Sequence, residues 1–162
     1  MTAVSPEIRF ELEDLYNAYV AALDDGPLED WPSLFIDPCD YQLIPRENYE
    51  NGMPLAIMKC ESTGMMMDRV NAVREQVMFE PRYLRHLISN IRVCEMDKAN
   101  ARMKVVANYA VLETLRDGFT RILNSGRYLD EVVRDGNGAL KFATKHCVFD
   151  SELVPNSIVF PV

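Results

Sequence analysis

Two rhythms of apolar and polar positions divide this chain. Ile8, Leu12, Leu15, Tyr16, Tyr19, Val20 and Leu23 recur at helical spacing. Ser5 can cap that helix, Pro6 suits its first position and Glu7 favours the positive end of its dipole. Asp24-Asp25-Gly26-Pro27 stops it, with Gly26 able to take a positive φ and Pro27 unable to continue. The pattern predicts an amphipathic helix of about five turns. Leu28 to Phe35 reads as a shorter helix or turn, with Trp31 and Phe35 as core anchors. Tyr41 to Pro45 alternates as a first strand, Glu47 to Gly52 is polar and turn-rich, and Pro54 to Cys60 reads as a second strand. Ser62, Thr63 and Gly64 announce another helix, with Met66, Met67, Val70, Val73 and Val77 on its apolar face and Pro81 at its end.

The second half alternates with period two. Tyr83–Met96, Arg102–Leu115, Phe119–Arg134 and Leu140–Asp150 are predicted strands. Arg116-Asp117-Gly118 and Asp135-Gly-Asn-Gly138 supply tight turns. Gly126 suggests a bulge or bend. Helices followed by long antiparallel strands form an α+β pattern. The expectation is a cystatin-like, nuclear-transport-factor-2-like cone, with N-terminal helices packed on a strongly curved, mostly antiparallel sheet, as one domain over residues 1–162.

Composition narrows the function classes. The formal net charge is −8, which argues against a nucleic-acid backbone as partner. No apolar run is long enough for a membrane span, and the N-terminus lacks the basic-then-apolar pattern of a secretory signal, so a cytoplasmic protein with no membrane partner is expected. Cys39, Cys60, Cys94 and Cys147 show no CxxC spacing and are expected as reduced, mostly buried thiols.

The chemistry on offer is sparse. His86 and His146 are the two histidines. Strand alternation places Leu84, His86, Ile88 and Asn90 on one side; were that side concave, His86 and Asn90 would enter a pocket where His86 could act as acid or base. The simpler reading of His86 is a hydrogen-bonded residue at a sheet surface or subunit interface. His146 and Cys147 point to opposite faces and cannot pair as base and nucleophile. Two histidines and dispersed cysteines make no zinc, mononuclear iron or Rieske ligand set. Asp24 and Asp40, near the expected cone mouth, are candidate bases, although scattered acids are usually solvated surface. Met65-Met66-Met67 suits core filling better than a ligand pocket. Two features look like assembly: the apolar, proline-bearing tail from Val154 to Val162, and the stiff charged corner Pro45-Arg46-Glu47-Asn48.

A set of blocks runs in order along nearly the whole chain: Trp31-Pro32 with Leu34-Phe35, Tyr41 through Pro45-Arg46-Glu47-Asn48, Gly52-Met53-Pro54-Leu55, Asp68-Arg69-Val70, Tyr83 with Arg85-His86, and Asp150-Ser151-Glu152 with Pro155-Asn156-Ser157. In these the sequence resembles the small (beta) subunits of Rieske-type aromatic-ring-hydroxylating oxygenases, closest to the salicylate 5-hydroxylase group, with terephthalate dioxygenase small subunits further off. The resemblance implies a non-catalytic structural subunit without its own cofactor. A large (alpha) subunit would carry the Rieske iron–sulfur cluster and the mononuclear iron. It also implies assembly with that subunit and with other copies of this chain, as α3β3. Arg46, Glu47 and Phe160 are the expected interface residues. The alternative is a stand-alone dehydratase or isomerase of the same cone fold, using His86 and Asn90 with help from Tyr16 or Tyr41. It requires an open cone lined by His86 and a second titratable group. A small-ligand module without turnover is a weaker third reading.

Overall fold

Helix α1 spans Pro6–Asp24, and the Ser5 hydroxyl accepts a hydrogen bond from the Ile8 amide at its start. The computed structural model describes residues 4–76, 82–97, 101–116, 118–151 and 158–162. Leu12, Leu15, Tyr16, Tyr19, Ala22 and Leu23 form the buried stripe of α1. Gly26 ends the helix differently from expectation. Its amide reaches back to the Ala21 carbonyl at 2.6 Å, and a Cβ there would lie 2.8 Å from that oxygen. Close approach, not a positive φ, is what requires glycine. A 3-10 turn over Leu28–Leu34 follows, burying Trp31 completely.

Strand β1 (Phe35–Pro45) starts six residues earlier than its alternation predicts. Asp37–Pro38 is a cis peptide inside it, and the register against its neighbour shifts between Phe35 and Asp40. An irregularity of that kind is where a strand tolerates the missing proline amide. Pro45 leads into a short helix, α2 (Arg46–Glu50), where a turn is expected, and Gly52 closes the corner at φ +64°. Strand β2 is only Met58–Cys60, because Pro54 and the exposed Leu55 precede the first paired residue. Helix α3 (Thr63–Gln76) buries Met66, Val70 and Val73, with Met65 exposed. The expectations for Val77, Pro81 and Asp117, and for the tail from Glu152 to Ser157, lie outside the described residues.

Strands β3 (Arg82–Asp97), β4 (Arg102–Leu115), β5 (Arg121–Arg134) and β6 (Leu140–Phe149) form an antiparallel meander. The sheet order is β2-β1-β6-β5-β4-β3, and β1 runs parallel to β6. Register shifts between Val111 and Leu112 and between Glu131 and Val132 curl the sheet. Gly126 is not one of these bulges. It pairs with Phe149, and a Cβ there would sit 2.0 Å from the Val148 carbonyl oxygen. The curled sheet, α1 and α3 enclose one hydrophobic core, giving the α+β cone.

Candidate functional site

The inside of the cone is filled. Tyr16, Tyr19, Trp31, Tyr41, Tyr128, Phe142 and Phe149 are all essentially inaccessible to solvent. Their rings meet edge-on or stacked, as at Trp31–Tyr41 (5.1 Å) and Tyr109–Tyr128 (4.3 Å). Val162 completes the filling from the chain's own tail. Its carbonyl oxygen accepts from the Tyr19 hydroxyl at 2.5 Å, the Cys147 thiol at 3.2 Å and the Tyr41 hydroxyl at 3.3 Å. Its amide donates to the Tyr41 oxygen at 3.0 Å. Burial raises both phenols well above their usual range and pushes the Cys147 thiol up to about 12, so all three keep their protons and stay donors at neutral pH.

Beneath these donors lies a buried ion pair that strand alternation did not single out. Asp130 and Lys145 face each other across β5 and β6, both side chains fully buried, with Lys145 Nζ 2.8 Å from Asp130 Oδ2. The Tyr16 hydroxyl donates to the same oxygen. Four rings surround the ammonium: Tyr128 at 3.6 Å, Phe142 at 4.4 Å, Tyr19 at 4.5 Å and Tyr16 at 4.7 Å. Burial pushes the Asp130 carboxyl above its usual range, against the pull of Lys145 and Tyr16. The missed signal was parity. Asp130 shares a strand face with Tyr128 and Val132, and Lys145 shares one with Cys147 and Phe149.

His86 is buried, and its ring Nδ1 lies 2.6 Å from Asp24 Oδ1, while its backbone amide donates to Asp24 Oδ2 at 2.8 Å. The pair fastens the end of α1 to β3, and Nε2 has no partner. Asn90 does not join it. Its φ is +56° and it is exposed, because the register of β3 breaks between Ser89 and Arg92. Residues 86–91 and α1 border an open groove of about 850 Å³ outside the core, but the His86 ring is not exposed to it. Tyr16 and Tyr41 spend their hydroxyls on Asp130 and Val162, not on His86. The open hollow that a His86-based dehydratase requires is therefore replaced by packed side chains.

Asp40, expected near the cone mouth, lies on the outer face instead, with its Oδ2 2.7 Å from His146 Nε2. The hydrogen bond from His146 holds the Asp40 carboxyl below its usual range, aided by Gln42. Across β3, β4 and β5, the buried Glu113 carboxylate takes Arg82 and Arg121, at 2.8 and 2.7 Å. Phe160 sits under the Arg82 guanidinium, half-buried against the core. At the charged corner Arg46 is paired within the chain, 2.5 Å from Asp150 Oδ1, while Glu47 is exposed beside an open hollow of about 740 Å³.

No group of three or more His, Cys, Asp or Glu able to hold a metal ion comes together among the described residues. Three cysteines are free and buried in the core with no third ligand grouped with them, and each histidine is held by its own carboxylate. These side chains do not fit a Rieske cluster or a mononuclear iron. No helix among them is long and apolar enough to cross a membrane.

Comparison with known proteins draws these features together. Residues 18–156 match the family described as ring hydroxylating beta subunit. The anthranilate 1,2-dioxygenase small subunit of Burkholderia cepacia is 31% identical over 94% of this chain and 93% of its own length. A terephthalate 1,2-dioxygenase terminal oxygenase component beta subunit from Comamonas sp. is 27% identical over 90% and 92%. The crystal structure of a proposed aromatic-ring-hydroxylating dioxygenase beta subunit from Novosphingobium aromaticivorans superposes with a TM-score of 0.86, at 36% identity over 96% of this chain and 97% of that one. The chain belongs to the ring-hydroxylating beta subunit family.

Proposed function

We propose that this chain is the small, structural subunit of an oxygenase that hydroxylates an aromatic acid. It supports a large subunit holding the Rieske cluster and the mononuclear iron, and it has no active site of its own. The family match over residues 18–156 carries this reading. The packed cone and the poor fit of its side chains to iron support it. Anthranilate and salicylate are both ortho-substituted benzoates, so the similarity to an anthranilate dioxygenase small subunit supports a salicylate-like substrate for the complex.

The contact with the large subunit runs through the corner at Arg46 and Glu47, and Phe160, packed against the core beneath Arg82, is a further contact. Further copies of the chain complete an α3β3 assembly. Exposed Tyr83, Leu87 and Ile122 on the outer face of β3 and β5 supply apolar area for such contacts. The test is co-expression with the large subunit encoded beside it, purification on a tag carried by this chain, and native mass measurement. A complex with the absorption of an iron–sulfur cluster is expected. Glu47→Arg should lower recovery of the large subunit several-fold without changing this chain's own melting temperature. Recovery of this chain only as a stable monomer would overturn the reading.

A further inference from the structure

Residues 158–162 fill the cone without belonging to its sheet. They form no strand or helix, yet Ile158 and Val162 are buried, and Val159 and Phe160 pack against the core. Hydrogen bonds from three side chains converge on one carbonyl oxygen, that of Val162. This is the donor pattern of a site that recognises a carbonyl or carboxyl group, and its two phenols belong to an aromatic cluster in which Trp31 and Phe35 meet Tyr41 edge-on and Phe35 is tilted against Tyr19. Tyr19 links two layers of the chamber, with its hydroxyl on Val162 and its ring against the Lys145 ammonium.

Two further buried polar atoms in the same chamber have no partner, the Tyr128 hydroxyl and Asp130 Oδ1. The Tyr128 ring stands edge-on to Tyr19, centroids 6.1 Å apart, so it borders the ring whose hydroxyl meets Val162. A core built only for stability leaves few such atoms orphaned.

We propose that the cone interior is a binding site for a small apolar molecule bearing a carbonyl or carboxyl head, which residues 158–162 occupy in cis. The tail is a removable plug: its apolar side chains fill the aromatic chamber, and the Val162 carbonyl takes the donors the guest's head would use. The site goes beyond the subunit role and does not depend on it.

The single tryptophan, Trp31, stands edge-on to Tyr41 and reports on the chamber. In the full-length chain, Val162→Lys would put a charged side chain where a fully buried apolar one sits, and drive the tail out. Trp31 fluorescence is then titrated with three probes: the peptide Ile-Val-Phe-Pro-Val, benzoate and benzamide. Saturable responses are expected in Val162→Lys at concentrations at least tenfold below any response of the unchanged chain. The peptide should also restore the melting temperature lost on substitution. Benzoate and benzamide separate a charged head from a neutral one. Adding Tyr19→Phe and Tyr41→Phe to the Val162→Lys background should weaken the small-molecule response at least tenfold. Where the lysine variant does not fold, Val162→Ala opens the chamber more mildly and is read in the same way. A folded variant that responds to neither small molecule, or an unchanged chain that binds them equally well, would overturn the proposal.

Discussion

Lys145 is fully buried against one carboxylate and four aromatic rings. Breaking a fully buried pair leaves an uncompensated charge, which costs about 3–5 kcal/mol. Lys145→Met is therefore expected to lower unfolding stability by about that amount, because Asp130 and the Tyr16 hydroxyl lose their cation. Lys145→Met combined with Asp130→Asn should recover most of the loss. The amide keeps an acceptor for Tyr16, and no bare charge remains. Urea unfolding of the two single variants and the double variant gives the coupling energy directly. Simple additivity of the two losses would show that the pair does not act as a unit. The sequence held a cue to this pair, since both residues fall on inward positions of otherwise apolar strands. A lysine and an aspartate in alternating strands read as wet-face residues unless the parity of each strand is followed through its bulges.

At the scale of elements, the start of α1 and the hairpin between β5 and β6 were readable and the irregularities were not. Ser5 with Pro6 and Asp135-Gly-Asn-Gly138 determine backbone conformation by themselves; the Asp135 side chain accepts from the Asn137 and Ala139 amides, and Gly138 takes φ +86°. The early start of β1, the short β2 and the true bulges depend on what the neighbouring strand does, which no local pattern carries. Gly126 shows the difference. Glycine in a strand signals either a bulge or a close approach, and only the pairing with β6 decides between them. An alanine there would meet the Val148 carbonyl oxygen and the Phe149 Cα, both backbone atoms that cannot swing aside. Gly126→Ala is expected to cost about 1–3 kcal/mol or more. The denaturation midpoint should fall, and amide exchange should quicken in β5 and β6 before α3. An unchanged midpoint would mean that β6 shifts freely relative to β5.

The whole molecule is acidic, and two of its carboxyls are shifted in opposite directions by the fold. Asp130 has a folded-state pKa raised by burial. Its charged form is the disfavoured one in the fold, so its contribution improves as pH falls through that raised value. Asp40 is the reverse. Its folded-state pKa is depressed, first by the hydrogen bond from His146. Its stabilisation is fully present above the unfolded value of about 3.9 and is lost as pH falls through the folded one. Asp40→Asn removes the second effect and leaves the first. The variant should melt below the unchanged chain at pH 6. The gap should close as the pH drops below about 4, where the unchanged chain loses the same charge by protonation. Asp40 lies on the outer face, away from Lys145 and the filled chamber, so the substitution leaves the core packing alone. A gap that stayed constant down to pH 3 would place the effect in packing or in Gln42. A gap that closed would assign the acid limit of the β1–β6 seam, which joins the first and last strands of the cone, to a single carboxylate–histidine contact.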